Sequence, residues 1–176
     1  MKGLHLGFRL GGIAAVAVLL GITACSPSPS PRSAVKDPAT RHNAPEFALK
    51  DAQGNIVHLS DYKGKVVLVD FWATWCGPCN IEIPWFTQFE RKYKDRGFEV
   101  LGVSMDESGW KAIVPFAEKK KINYRIVLGD EVTGDQYGGI QALPTAFIID
   151  REGRIAAVHI GLSEKREFQD AIEKLL

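Results

Sequence analysis

A chain of 176 residues with 45% hydrophobic and 24% charged side chains can bury a core of ordinary size, and it is long enough for one domain plus an extension. Its formal net charge of +1 leaves no electrostatic footprint for nucleic acid and no attraction to an acidic substrate. The three cysteines, Cys25, Cys76 and Cys79, are an odd number, so one of them stands outside any pair.

The first element is a leader. Lys2 and Arg9 precede "LGGIAAVAVLLGITA", which is apolar but for one threonine and too short for a comfortable membrane span. A basic start, a short apolar run and small residues at its end read as a secretory signal. The run closes on "ITAC", residues 22–25, which resembles the lipobox of bacterial lipoproteins. That resemblance implies cleavage after Ala24 and diacylation of the Cys25 sulfur, which would remove this thiol from redox chemistry. Cleavage would take two of the basic residues and none of the acidic ones, so lipid rather than a polybasic patch would hold the chain on a membrane. Residues 26–44, "SPSPSPRSAVKDPATRHNA", offer almost no core and favour an extended tether. The expected division is a signal peptide over 1–24, a lipidated cysteine and tether over 25–42, and a folded domain over 43–176.

Within the domain, "EFALKDAQGNIVHLS" predicts two short strands about the "DAQGN" turn. "KVVLVDFW", residues 65–72, is almost continuously apolar and predicts a central strand buried on both faces. Helical spacing follows over 77–96, with Ile81, Trp85 or Phe86, Phe89 and Tyr93 as its apolar face. "FEVLGVSM" predicts a second buried strand, residues 108–121 a helix facing inward through Ile113, Phe116 and Ala117, and "YRIVLG" a third strand. A short helix over 130–137 and the loop "GGIQALP" lead to a hairpin of "TAFIID" and "RIAAVHIG". Ser163 is the expected cap of a last helix that carries Phe168, Ile172 and Leu175 on one face. Strands alternating with helices argue an α/β fold with a mixed sheet.

The chemistry concentrates in "DFWATWCGPCNIEIP", residues 70–84. Two thiolates fall short of the four ligands of structural zinc, and no histidine stands at ligand spacing, so no dedicated metal site and no cofactor is expected; copper could still accept two thiolates weakly. A disulfide closing so small a loop removes little unfolded-state entropy, so a purely structural role is poorly motivated. A redox role uses more of the residues. Cys76 follows the strand and opens a helix, where free N–H groups and the positive dipole end favour thiolate, so it is the expected nucleophile. Pro78 suits a first helical turn, and Gly77 leaves room for a substrate backbone. Cys79, one turn inside, is the expected resolving thiol.

"VDFWATWCGPC" resembles the thioredoxin superfamily, and residues 43–176 resemble its TlpA/ResA-like branch of exported thiol-disulfide oxidoreductases. The resemblance implies a thioredoxin-like fold, a mixed central sheet flanked by helices, with an N-terminal β extension and an inserted helix and strand over 108–129. It also implies a redox-active Cys76–Cys79 disulfide. "LPTAFIID" matches the family's cis-proline loop, which puts Pro144 in cis beside the cysteines and turns Leu143 backbone groups toward an extended substrate. Asp70 matches the buried acid of thioredoxin, where many members of the branch carry a neutral residue; a buried acid has a raised pKa and can exchange a proton with Cys79. Glu82 matches the branch's active-site glutamate, and its i,i+3 spacing places it on the side of Cys79, though on spacing alone it reads equally as a solvated helix acid. Trp72 is read as packing, and Trp75 as packing or as a cover that meets substrate.

The resulting expectation is a monomeric, lipid-anchored thiol-disulfide oxidoreductase of the bacterial cell envelope, facing the periplasm or the exterior. It would reduce disulfides of exported proteins, such as apocytochrome c during cytochrome c maturation or copper-site proteins, and draw electrons from a membrane thiol donor. Two alternatives stand beside it. A thiol peroxidase of the peroxiredoxin group would place threonine three residues before its reactive cysteine, where this chain has Ala73 and sets Thr74 one position later. A non-enzymatic copper carrier would bind Cu(I) without disulfide turnover.

Overall fold

The computed structural model describes Met1 and residues 34–176; the leader and Cys25 lie outside the described residues. Strands β1 (Ala48–Asp51) and β2 (Ile56–His58) form the first hairpin. Its turn is tied by Asp51, whose Oδ1 accepts the N–H groups of Gln53 at 3.0 Å and Asn55 at 2.9 Å.

Strand β3 (Val66–Trp72) is buried at every position. It pairs in parallel with β4 (Phe98–Ser104), which pairs in parallel with β5 (Arg125–Leu128). On its other side β3 pairs antiparallel with β6 (Thr145–Ile149), and β6 with β7 (Ile155–Ile160). With the first hairpin the sheet runs β2-β1-β5-β4-β3-β6-β7. Central strands covered on both faces must be apolar on both faces, which is why "VVLV" shows no alternation.

Successive β3 side chains divide between two cores. Val67, Val69 and Phe71 join Leu101, Val103, Phe147 and Ile149 under Phe47, Leu59, Tyr62 and Tyr137. Val66 and Leu68 join Val100, Ala146 and Ile148 under helices α1 (Cys79–Tyr93) and α4 (Lys165–Leu175). Helix α2 (Trp110–Lys120) covers the upper end of this second face through Ile113, against Trp72. The short α3 (Glu131–Gln136) leads through Tyr137 to the first face. This is the mixed, helix-flanked α/β sheet that the family resemblance implies, with β1 and β2 as the N-terminal extension.

Three local expectations are corrected. Helix α1 buries Ile83, Phe86, Phe89 and Tyr93, while Ile81 is 48% exposed. The inward stripe also holds Glu82 and Glu90, and two acids on the buried face hide its phase from a hydrophobicity reading. Ser163 does not cap α4; Glu164 precedes the helix without a side-chain cap bond, and the Ser163 N–H is used elsewhere. The segment expected as free tether up to residue 42 is in part a structural strap. Lys36 N–H donates to the Ala156 carbonyl at 2.7 Å, Ile155 N–H to the His42 carbonyl at 2.8 Å, and the Arg41 guanidinium to Asp150 at 2.9 Å. The strap pairs with the first two residues on the outer edge of β7, whose backbone groups would otherwise be unpaired there. No helix among the described residues is long and apolar enough to cross a membrane.

Candidate active site

The parallel strands deliver the site. β3 ends at Trp72, and the chain turns through residues 73–78 before α1 begins at Cys79. The turn is held internally: Cys76 N–H donates to the Ala73 carbonyl at 3.1 Å, and the Asn80 amide to the Cys76 carbonyl at 2.9 Å. Pro78 has φ −59° and ψ −37°, already helical, so its ring starts α1 without the loss of a needed donor.

Cys76 and Cys79 are joined as a disulfide with their Cα atoms 5.3 Å apart. The Cys79 N–H donates to Cys76 Sγ at 3.2 Å, so an N–H of the first helical turn points at that sulfur. A thiolate at Cys76 would gain from that donor and from the dipole of a 15-residue helix. Cys76, 4% exposed, lines an open groove of about 440 Å³ together with Trp75, Pro78, Met105, Ile140 and Leu143. Cys79, 1% exposed, is packed beneath with Trp72, Ile83 and Ile113. Trp75 is 70% exposed, so it forms a wall of the groove and not part of the core. A Cβ built on Gly77 meets nothing within 4 Å, so this stretch of backbone is open on its outer side.

The Leu143–Pro144 peptide bond is cis, and Leu143 lines the same groove as Cys76. The loop is fixed from both sides: Gly161 N–H donates to the Pro144 carbonyl at 2.8 Å, and the Thr145 hydroxyl to the Ala142 carbonyl at 2.8 Å.

Between the sheet and α1 lies a buried acidic pair. Asp70 is 1% exposed, on the sheet face that α1 covers, and its Oδ1 has no hydrogen-bond partner among the described residues. Burial, with the neighbouring Glu82 carboxylate second, pushes its pKa well above the ordinary aspartate range. Glu82, also 1% exposed, accepts the Ser163 N–H at 3.0 Å through Oε1, while Oε2 is buried without a partner. Burial raises its pKa to about 7, against the opposing pull of the Ser163 bond. Glu82 is therefore not a solvated helix acid, and its charge helps to raise the pKa of Asp70. Two carboxyl groups whose pKa values burial raises can take up or release a proton where α1 carries Cys79.

Close packing on the same face makes room for this pair. Gly102 lies opposite Asp70 in the β3–β4 register, and a Cβ there would come within 2.8 Å of Trp72 Nε1 and 3.3 Å of the Tyr124 ring. Trp72 and Tyr124 thus crowd this position, so that a side chain larger than glycine would force one of them to shift. Sequence reasoning missed Gly102, Tyr124, Ser163 and the Asp106 carboxylate that binds Thr74. A glycine inside an otherwise apolar strand is the one local signal among them, because it marks close approach by a neighbour.

Residues 40–158 match the AhpC/TSA family. The thiol-disulfide oxidoreductase ResA of Bacillus subtilis (strain 168) is 36% identical over 129 residues, covering 73% of this chain and 71% of that protein. ResA of Bacillus anthracis is 32% identical over 134 residues, covering 75% and 76%. Among solved structures, a DsbE thiol:disulfide interchange protein from Chlorobium tepidum superposes with a TM-score of 0.72 at 35% identity, over 77% of this chain and 96% of that one. With its Cys76–Cys79 disulfide at the start of α1, this chain belongs to the AhpC/TSA family and, within the thioredoxin superfamily, to the ResA-like thiol-disulfide oxidoreductases.

Proposed function

We propose that the protein reduces disulfides of exported proteins, working outside the cytoplasm while held to a membrane by lipid on Cys25. The observation that carries this reading is the placement of one sulfur, Cys76, in an open groove beside the cis Leu143–Pro144 bond, with its partner Cys79 buried behind it.

In the reduced protein the Cys76 thiolate attacks one sulfur of a substrate disulfide. A mixed disulfide forms, and the other substrate sulfur leaves as a thiolate that takes a proton from solvent. Cys79 then gives its proton to Asp70 in its ionised carboxylate form and attacks Cys76 Sγ. The Cys76–Cys79 bond closes, and the second substrate sulfur leaves and is protonated. Two electrons have passed to the substrate. A dithiol donor at the membrane returns them by the same exchange in reverse. Glu82 sets the charge state of Asp70 and accepts the proton in its turn. The groove, walled by Trp75 and floored by Leu143, suits an extended segment around the substrate disulfide. Apocytochrome c and copper-site proteins, whose cysteine pairs must be reduced before a cofactor or metal is attached, fit this class. The unit acts as a monomer.

The deciding experiment equilibrates the purified protein with thiol-disulfide buffers. A potential near the roughly −270 mV of thioredoxin supports a reductant, whereas one near the roughly −120 mV of DsbA makes it an oxidant and overturns the direction. Turnover of peroxide in place of disulfides would make it a peroxidase, and tight Cu(I) binding without disulfide turnover a carrier.

A further inference from the structure

Thr74, in the turn before the cysteines, is bound from a different strand. Its N–H donates to Asp106 Oδ2 at 2.9 Å, and its hydroxyl to Asp106 Oδ1 at 2.5 Å. The same carboxylate accepts the Ser104 hydroxyl at 2.7 Å, and the Asp106 N–H donates back to that hydroxyl at 3.3 Å. Asp106 is itself buried, so these are charge-assisted bonds shielded from competing water. Next in the chain, Met105 N–H donates to the Trp72 carbonyl at 2.8 Å. The end of β4 thus clamps the end of β3 at the point where the chain leaves the sheet.

The clamp lies between the two walls of the groove. Trp75 follows Thr74 directly, and Met105 precedes Asp106 directly; both line the groove beside Cys76. Trp75 is mostly exposed, so little core packing fixes its place. Its position is set by the backbone of the turn, which its internal hydrogen bonds shape and which Thr74 ties to β4.

We propose that Asp106 is a positioning residue for substrate selection: by holding Thr74 it fixes the Trp75 wall against the Met105 wall, so that an extended polypeptide disulfide is presented to Cys76. This rests on the oxidoreductase reading and adds the residue that favours polypeptide disulfides over small ones. A small disulfide needs only to enter the groove and reach Cys76, so it depends less on the wall.

The test compares single-turnover oxidation of the reduced full-length protein by two probes, cystamine and an oxidised Cys-Ala-Ala-Cys-His peptide. In Asp106→Ala the ratio of the peptide rate to the cystamine rate should fall about tenfold, the size expected when a charge-assisted hydrogen bond that orients a reactant is lost. Thr74→Val, which keeps the N–H bond and the carboxylate, should lower the ratio less, and Thr74→Ser should restore it. Asp106→Asn retains an acceptor for the Thr74 N–H and should fall between wild type and alanine. If Asp106→Ala fails to fold, the two Thr74 variants carry the comparison. An unchanged ratio in Asp106→Ala and Thr74→Val, or equal loss toward both probes, would overturn the assignment. A wild-type protein inert toward both probes would instead overturn the oxidoreductase reading.

Discussion

Glu82 and Ser163 are joined across the site: Oε1 of the helix acid accepts the backbone N–H of the loop between β7 and α4 at 3.0 Å. The bond holds Glu82 inward while burial raises its pKa to about 7. A carboxyl whose folded pKa is raised binds its proton more tightly in the native state. Its contribution to stability is therefore complete at low pH and declines as pH rises from the ordinary glutamate range through about 7. Glu82→Gln keeps the acceptor and cannot ionise. In urea melts across this window, the variant should gain on wild type by up to about 1.4 kcal/mol per pH unit and match its slope outside it. His159, whose pKa burial lowers to about 4, has the opposite slope, which cancels between the two proteins. A constant difference between them would show that Glu82 has the same pKa folded and unfolded, so that burial does not raise it.

Asp70→Asn should leave the fold intact, because asparagine is nearly isosteric and removes a costly buried ionisation. It should slow release of reduced substrate more than formation of the mixed disulfide, by at most the roughly 10²–10⁴-fold typical of a general acid or base. Glu82 as a second acceptor would make the loss smaller. Quenched-flow alkylation resolves the two steps, and equal slowing of both would remove Asp70 from the proton transfer.

The unequal placement of the two sulfurs predicts unequal trapping. Cys79→Ser should accumulate a mixed disulfide between Cys76 and substrate, since the resolving attack is lost, and Cys76→Ser should accumulate far less. Mass spectrometry of the trapped adducts reads the outcome; equal yields would mean that either sulfur can lead.

Gly102→Ala probes the crowding above Asp70. The added methyl would stand 2.8 Å from Trp72 Nε1, so the indole or the strand must shift. The expected cost is about 1–3 kcal/mol of stability, the usual range for overpacking a filled core. Chemical denaturation measures it, and a neutral result would mean that Trp72 has somewhere to go.

Cys25→Ser should abolish acyl labelling of the chain in a bacterial host and release it from the membrane fraction. The domain from residue 34, which keeps the strap, should retain its disulfide exchange. Labelling that survives the substitution would place the lipid elsewhere or nowhere.

The sequence by itself determined the features encoded within a few residues. The hairpin about residues 51–55, the doubly buried β3 and the cysteine pair at a helix start each follow from periodicity, turn chemistry or spacing, while the cis proline at residue 144 follows from the family resemblance of its segment. Only the tertiary structure decided the features made by contact between distant segments. The inward stripe of α1 is legible at Phe86, Phe89 and Tyr93 but not at its start, where Ile83 and Glu82 face inward in place of Ile81, because a pattern of apolar residues cannot show that acids face inward. Ser163 has the residue type of a cap, yet its N–H goes to a carboxylate 81 positions away. Asp106 reads as a loop acid until the parallel pairing of β3 with β4 brings it to Thr74, 32 positions earlier. Local propensities fix which elements form. Which polar groups meet where those elements end depends on strand order and register, which no short window of sequence contains.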